Sequence, residues 1–473
     1  MSISRRIGLL LGPALFVILL VVPPPAGMPI GAMHAAAVAA WVATWWVTQA
    51  LPLWATSLLP LVLFPVTGVL PIREATEDYG NPIIFMMMGG FLLALGMQQS
   101  GLHRRIALGL MRLSGTSPAR LVLGFMLGTA LISMWVSNPA TTSLMLPMAL
   151  AVIGQQGSEQ GQDSLAPPLL LGIAFAATFG GMGTLVGTPP NLIFAGAAEK
   201  LLGVRIGFAE WMLLGVPVAL VGTFASWLLL TRVVYRLPTR EPEGGAKPIQ
   251  EAWAKLGAMT PAEKAMGMVF LTVALAWVTQ PWLIAPWLPA VDDTVIAVVG
   301  GLVLFLIPSG QGDGSALLSK DSVFKLPWDI LLLFGGGLAI ANSFEVSGLG
   351  AWLSHALGGL GWLPPIILLL GVVARIGLVT DLVSNTAIAT IFMPVAFALG
   401  RAVDFPPLVL MAAVNLAAQS AFLLPVSTPS NAIVFGTGKV TIRQMVKAGI
   451  WLNIGTILVF TAVAYWVVPA VLK

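Results

Sequence analysis

Residues 135–147 read WVSNPATTSLMLP and residues 382–394 read LVSNTAIATIFMP. At an offset of 247, Ser137 falls on Ser384, Asn138 on Asn385, Ala140 on Ala387 and Pro147 on Pro394; counted from Ser133 and Thr380, five of fifteen positions are identical. Each copy sits in the middle of an apolar block, 118–153 and 363–400. Such a block is too long for one membrane helix of about 20 residues and too short for two helices and a loop. Each is expected to be a re-entrant helical hairpin with its polar doublet at the tip.

The rest of the chain agrees with a membrane setting. Of 473 residues, 58% are apolar and 9% charged, against roughly 25% charged in soluble domains. Apolar stretches predict eleven crossings, near 7–26, 32–50, 52–70, 82–100, 168–198, 209–231, 263–283, 293–308, 328–346, 405–437 and 448–471. The fold class expected is an all-α polytopic membrane protein. The basic, then apolar, start resembles a signal peptide, but further spans follow and a retained first helix is expected. With no cysteine, disulfides, thiolate catalysis and cysteine-metal sites are excluded.

The basic residues report topology rather than a nucleic-acid partner. Arg5, Arg6, His103, Arg104, Arg105, Arg112, Arg120, Arg232, Arg236, Arg240, Lys247, Lys439, Arg443 and Lys447 fall on one side of the expected spans, which the positive-inside rule makes cytoplasmic. Glu74, Glu77, Asp78, Asp292 and Asp293 fall on the other; the stretch with Glu159 and Asp163 does not follow the pattern. The expectation is a multi-pass protein of the cytoplasmic membrane with its N-terminus in the cytoplasm.

The duplication extends beyond the tips. GGFLLALGMQQSGL from Gly89 matches GGLAIANSFEVSGL from Gly336, again 247 apart, with six of fourteen positions identical. Downstream, GTPPN from Gly187 matches STPSN from Ser427 at an offset of 240. Five crossings separate the copies, so they run in opposite directions through the membrane. Inverted repeats with paired interruptions point to a secondary transporter whose site lies between the halves.

At the interruptions, Pro139 pushes Asn138 out of helical geometry, which makes Asn138 an expected N-cap; Thr188-Pro189 and Thr428-Pro429 share that grammar. At Ser384-Asn385-Thr386 the break is inferred from the alignment and from the capping preference of Ser and Asn. Exposed backbone there cannot face lipid, so four breaks imply one shared cavity. Half-helix N-termini attract an anion, and carbonyl ends suit a hard cation. The hydroxyls of Ser133, Ser137, Thr380, Ser384 and Ser427 with the carbonyls of Gly187 and Val383 would make a neutral oxygen cage, which favours sodium over calcium. No Lys or Arg lies at the tips, so a multiply charged anion needs helix dipoles and co-bound cations as its balance.

With these tips, breaks and order of spans, the chain resembles the divalent anion/sodium symporter family over nearly its whole length. The resemblance implies symport of a di- or tricarboxylate with sodium, a C4-dicarboxylate such as succinate first, with sodium-independent exchange or symport of sulfate or another oxyanion as alternatives. It implies no organic cofactor and a homodimer in which a mobile domain moves like an elevator against a scaffold. On that division 1–117 are scaffold helices with a first interfacial arm, 118–231 the first half of the transport domain, 232–262 a cytoplasmic linker, 263–362 further scaffold with a second arm, and 363–473 the second transport half. Carried over by residue, Ser137, Asn138, Ser384, Asn385, Thr386 and Thr428 would contact substrate carboxylate. Ser133, Gly187, Thr380, Val383 and Ser427 would complete two sodium sites, with Ser137, Asn138, Ser384 and Asn385 serving both. Thr188, Pro139 and Pro429 belong to the expected substrate wall. Pro139 stands where the family has threonine, removing a hydroxyl and a backbone donor; Thr141, with Thr142 beside it, is the expected compensation.

Other polar residues read less specifically. Asp381 and Arg375 are intramembrane charges, either functional or a structural ion pair. His34, His103 and His355 lie near span ends with no hydrolase motif about them. Trp41, Trp45, Trp46, Trp282 and Trp287 suit an interfacial belt. Residues 102–113 and 350–360 read as amphipathic interfacial helices. An intramembrane enzyme lacks the base that hydroxyl nucleophiles need, and hairpins entering from opposite faces suit alternating access better than a channel filter.

Overall fold

The computed structural model describes residues 3–115, 117–155, 165–237, 247–310 and 314–472. The topology markers Arg240, Glu159 and Asp163 and part of the expected linker lie outside them.

The chain is all-helical. Seven of the eleven expected crossings hold a continuous apolar helix of 18 or more residues, within Ile3–Val21, Ile30–Thr48, Ile72–Ser100, Phe208–Val234, Pro261–Ile284, Trp328–Val346 and Ile442–Val471. The other four are short or broken. Residues 52–70 form Leu53–Thr56 and Leu59–Thr67, and 293–308 shrinks to Asp293–Val303. The stretches at 168–198 and 405–437 each split in two, Ala166–Met182 with Pro189–Leu202 and Pro407–Ala418 with Pro429–Phe435. A proline begins three of these four pieces and stands second in the fourth, where its missing N–H costs no helical bond.

Both apolar blocks fold as hairpins. The first is Pro118–Ser133 with Asn138–Gln155, the second Pro365–Thr380 with Asn385–Ala402. The unwound turns fall at 134–137 and 381–384, within a residue or two of the doublets. Small residues let the hairpins seat closely, as lipid-immersed helices require. A Cβ on Gly180 would come 2.3 Å from the Ala130 carbonyl, so the broken helix there touches the first hairpin backbone to backbone.

Both expected amphipathic helices are present. Leu102–Leu113 buries Leu102, Ala107, Leu108 and Met111; Leu349–Leu360 bends by 115° into the second hairpin. The linker also holds a helix that composition did not suggest, Lys247–Leu256. It lies along the first arm, with Trp253 under the guanidinium groups of Arg105 and Arg112 at 5.7 and 4.9 Å. The expectation of a plain cytoplasmic linker over 232–262 did not weigh the Trp253 anchor.

Candidate functional site at the hairpin tips

In each hairpin a hydroxyl residue ends the first arm and an asparagine begins the second, five positions on. Ser133 Oγ lies 2.8 Å from Asn138 Oδ1 and 2.8 Å from the Ala177 carbonyl. Thr380 Oγ1 lies 3.0 Å from Asn385 Oδ1 and 2.7 Å from the Ala418 carbonyl. Each hydroxyl has one proton, while the amide oxygen and the carbonyl can only accept. If the proton goes to the carbonyl, two oxygen lone pairs face each other across the tip. An alkali cation relieves that contact, and the arrangement is the same in both halves.

This geometry corrects the expected caps. Both second arms already begin at the asparagine, and its side chain turns back to Ser133 or Thr380 instead of bonding the first amides. Ser384 occupies the capping position without a capping bond. Thr188 and Thr428 are extended cap residues as expected, but only Thr428 accepts an amide, from Asn431 at 3.1 Å.

Two residues central to the breaks were not singled out from the sequence, although they stand in the repeated TPPN and TPSN. The Asn191 amide donates to the carbonyls of Gly181 at 3.1 Å and Thr184 at 2.8 Å. The Asn431 amide donates to those of Ala421 at 3.1 Å and Leu424 at 3.2 Å. Each satisfies carbonyls left free where its helix ends, which buried backbone demands. A hydroxyl closes each tip onto the break beside it: Thr184 donates to the Met134 carbonyl in one half, and Ser427 to the Asp381 carbonyl, at 2.8 Å, in the other.

One cavity of about 730 Å³ joins both tips and both breaks. From the tips it is lined by Ser137, Asn138, Pro139, Ser384, Asn385 and Thr386. The breaks add Gly187, Thr188, Ser427, Thr428 and Pro429. Ser133 and Thr380 are fully buried behind the tips, and Val383 does not reach the wall. Thr141 is also buried, its hydroxyl 3.4 Å from the Val136 carbonyl, so it does not replace the donor that Pro139 removes. Thr142 instead donates to Ser430 at 3.0 Å and joins the two halves.

The charges sort differently from expectation. Asp381 is buried and held by neutral donors, the Leu423 amide at 2.9 Å, the Ser427 hydroxyl and the Asn453 amide. Arg375 is exposed and forms no salt bridge among the described residues, so the suggested Asp381–Arg375 pair is not formed. Among the described residues that line the cavity, Lys325 is the one that is charged. His34 and His103 bond the carbonyls of Thr67 at 3.0 Å and Met97 at 2.8 Å; burial holds the His103 imidazole below the ordinary histidine range.

Paired hairpins, paired broken helices and one cavity shared between them define a membrane transporter of the inverted-repeat class. Residues 4–472 match the sodium:sulfate symporter transmembrane region, and the chain belongs to that family. It is 39% identical over 481 residues to the sodium-dependent dicarboxylate transporter SdcS of Staphylococcus saprophyticus, covering 100% of this chain and 93% of that one. The protein of the same name from Staphylococcus aureus USA300 is 39% identical, with 92% of its length covered. Two solved structures share the fold. The MtrF efflux pump of Neisseria gonorrhoeae matches with TM-score 0.62 at 11% identity, over 98% of this chain and 95% of that one. The YdaH transporter of Alcanivorax borkumensis matches with TM-score 0.55 at 18% identity, over 84% and 89%. The chain is a transporter, not an enzyme.

Proposed function

We propose that the protein couples inward sodium movement to uptake of a C4-dicarboxylate such as succinate across the cytoplasmic membrane. What carries this reading is the single cavity in which both tips and both breaks meet. Its tip and break hydroxyls and amides, with helix N-termini behind them, grip a carboxylate without fixed positive charge. The paired oxygen clusters at Ser133/Asn138 and Thr380/Asn385 take sodium, completed by Gly187, Val383 and Ser427 with the tip serines. The 39% identical relatives, sodium-dependent dicarboxylate transporters by name, support both halves of the reading. Substrate and ions are carried by the elevator movement of a transport domain, in a homodimer whose N-termini are cytoplasmic. On that topology the cavity faces the cytoplasm, because Gln49, Gln98 and Lys325, which line it, stand at the cytoplasmic ends of their spans.

Uptake of radiolabelled succinate into proteoliposomes, with an imposed sodium gradient and no internal substrate, tests this. Sodium-driven accumulation, suppressed by unlabelled dicarboxylates and not by sulfate, is the expected result. Equal uptake without sodium overturns coupling, exchange against internal succinate alone makes the protein an exchanger, and suppression by sulfate alone makes it an oxyanion symporter.

A further inference from the structure

Lys325 lines the cavity that holds the tips and is the only charged residue among the described residues that do so. It ends a tight turn, Lys320–Lys325, that is fastened on both sides. Gln99 Nε2 bonds the buried Ser322 hydroxyl at 3.3 Å, and Trp328 Nε1 donates to the Val323 carbonyl at 2.9 Å. The backbone of Lys325 is thereby fixed to the spans at 82–100 and 328–346, while its ammonium forms no salt bridge or hydrogen bond among the described residues. Two neutral donors, Gln49 and Gln98, also line the cavity.

We propose that Lys325 is a specificity-determining residue that holds the substrate dianion on its cytoplasmic release path. The inference rests on the sodium-coupled dicarboxylate reading above. At the tips the dianion is balanced by dipoles and sodium, and the first tip lacks the donor that Pro139 displaces. Once sodium leaves for the cytoplasm, two negative charges remain in a cavity whose one fixed countercharge is Lys325. The residue therefore acts on the cytoplasmic side of the cycle, raising affinity there for anions with a second carboxylate free to reach it.

The test compares Lys325→Gln and Lys325→Arg in oriented vesicles, with succinate and its monoamide as probes. For K325Q, the succinate KM measured from the cytoplasmic face of inside-out vesicles rises about two- to fivefold, as loss of a solvent-exposed charge contact implies. The rise is larger than in right-side-out vesicles, shrinks as ionic strength increases, and is absent for the monoamide; K325R restores the original value. A cytoplasmic KM unchanged in K325Q, or raised equally at both faces or for the monoamide, overturns the proposal and leaves Lys325 an interfacial lysine. Sodium-driven uptake by the unmodified protein is the internal standard: its absence refutes the transport reading itself, while its presence with an unchanged cytoplasmic KM refutes only Lys325.

Discussion

At Ser133 and at Thr380 one hydroxyl proton serves two acceptor oxygens, and the proposed sodium sites rest on this residue chemistry. On the proposed sodium reading, Ser133→Ala and Thr380→Val would each remove one cation ligand together with its hydrogen bond to the neighbouring broken helix, a loss of about 1–3 kcal/mol. Half-saturation of transport by sodium should therefore rise roughly tenfold in either variant, with a smaller effect on succinate KM at saturating sodium; sodium titration of uptake measures it. Pro139→Thr works in the opposite direction. Pro139 lines the cavity, and threonine there adds a hydroxyl and an amide donor facing it. One added hydrogen bond is worth about 0.5–1.5 kcal/mol, so the succinate KM should fall about two- to tenfold. An unchanged KM would mean that the first tip does not contact the carboxylate.

At the scale of helices the two breaks are related by the repeat but not equally secured. The Asn191 side chain donates across its break and also accepts from Asn415 at 3.2 Å and Gln419 at 2.9 Å, all three residues being buried. The positions of Asn415 and Gln419 in the first half are held by Phe175 and Phe179, given the 240 offset, and Asn431 Oδ1 finds no partner. Asn191→Ala should accordingly cost more than Asn431→Ala, by about 1–3 kcal/mol for the Asn415 donor it strands, Gln419 keeping Asn415 as a partner, read as the larger drop in thermal stability of the purified protein. The hairpins and broken helices were legible because proline, doublets and block length act locally along the chain. The short span at 293–303 and the helix at 247–256 were not, since one depends on neighbours that shorten it and the other on Trp253 lying against two arginines. The asparagine caps were misread for a similar reason: local preference favoured a cap, and a hydroxyl five residues upstream claimed the oxygen. Asn191 and Asn431 were visible in the repeated motif, but their partners lie up to ten residues back along each broken helix and, for Asn191, more than 220 residues further along the chain.

At the scale of the whole molecule the two halves share a sequence pattern yet occupy different surroundings. Val186 is 7% exposed and packs on Gly90, where a Cβ would come 2.8 Å from it, and Trp135 stacks among Phe208, Phe270 and Trp277. Their repeat mates Val426 and Leu382 are 71% and 68% exposed; both line the cavity, whose wall the largely buried Val186 also reaches. On the proposed elevator reading, exchanging the surroundings of the two halves would give the opposite-facing state, in which Leu382 and Val426 pack away and Trp135 and Val186 become more exposed. A cross-contact would hold the present arrangement on that reading: Lys200, on the half-helix that Thr188 begins, lies 3.0 Å from the buried Asp78, which also accepts from Asn342 at 3.1 Å. Breaking a fully buried pair costs about 3–5 kcal/mol. With Lys200 30% exposed, about 2 kcal/mol is the appropriate scale, a roughly thirtyfold shift in population. The chain contains no cysteine, so single cysteines report the shift directly. In the unaltered background, Val426→Cys should react rapidly with an impermeant thiol reagent applied from the cytoplasmic face, and Val186→Cys slowly. Adding Lys200→Met should slow labelling at position 426 and speed it at position 186 from the opposite face. Unchanged rates at both positions would mean that Lys200 and Asp78 stay together through the cycle, and that the half-helix and the frame it touches do not move apart.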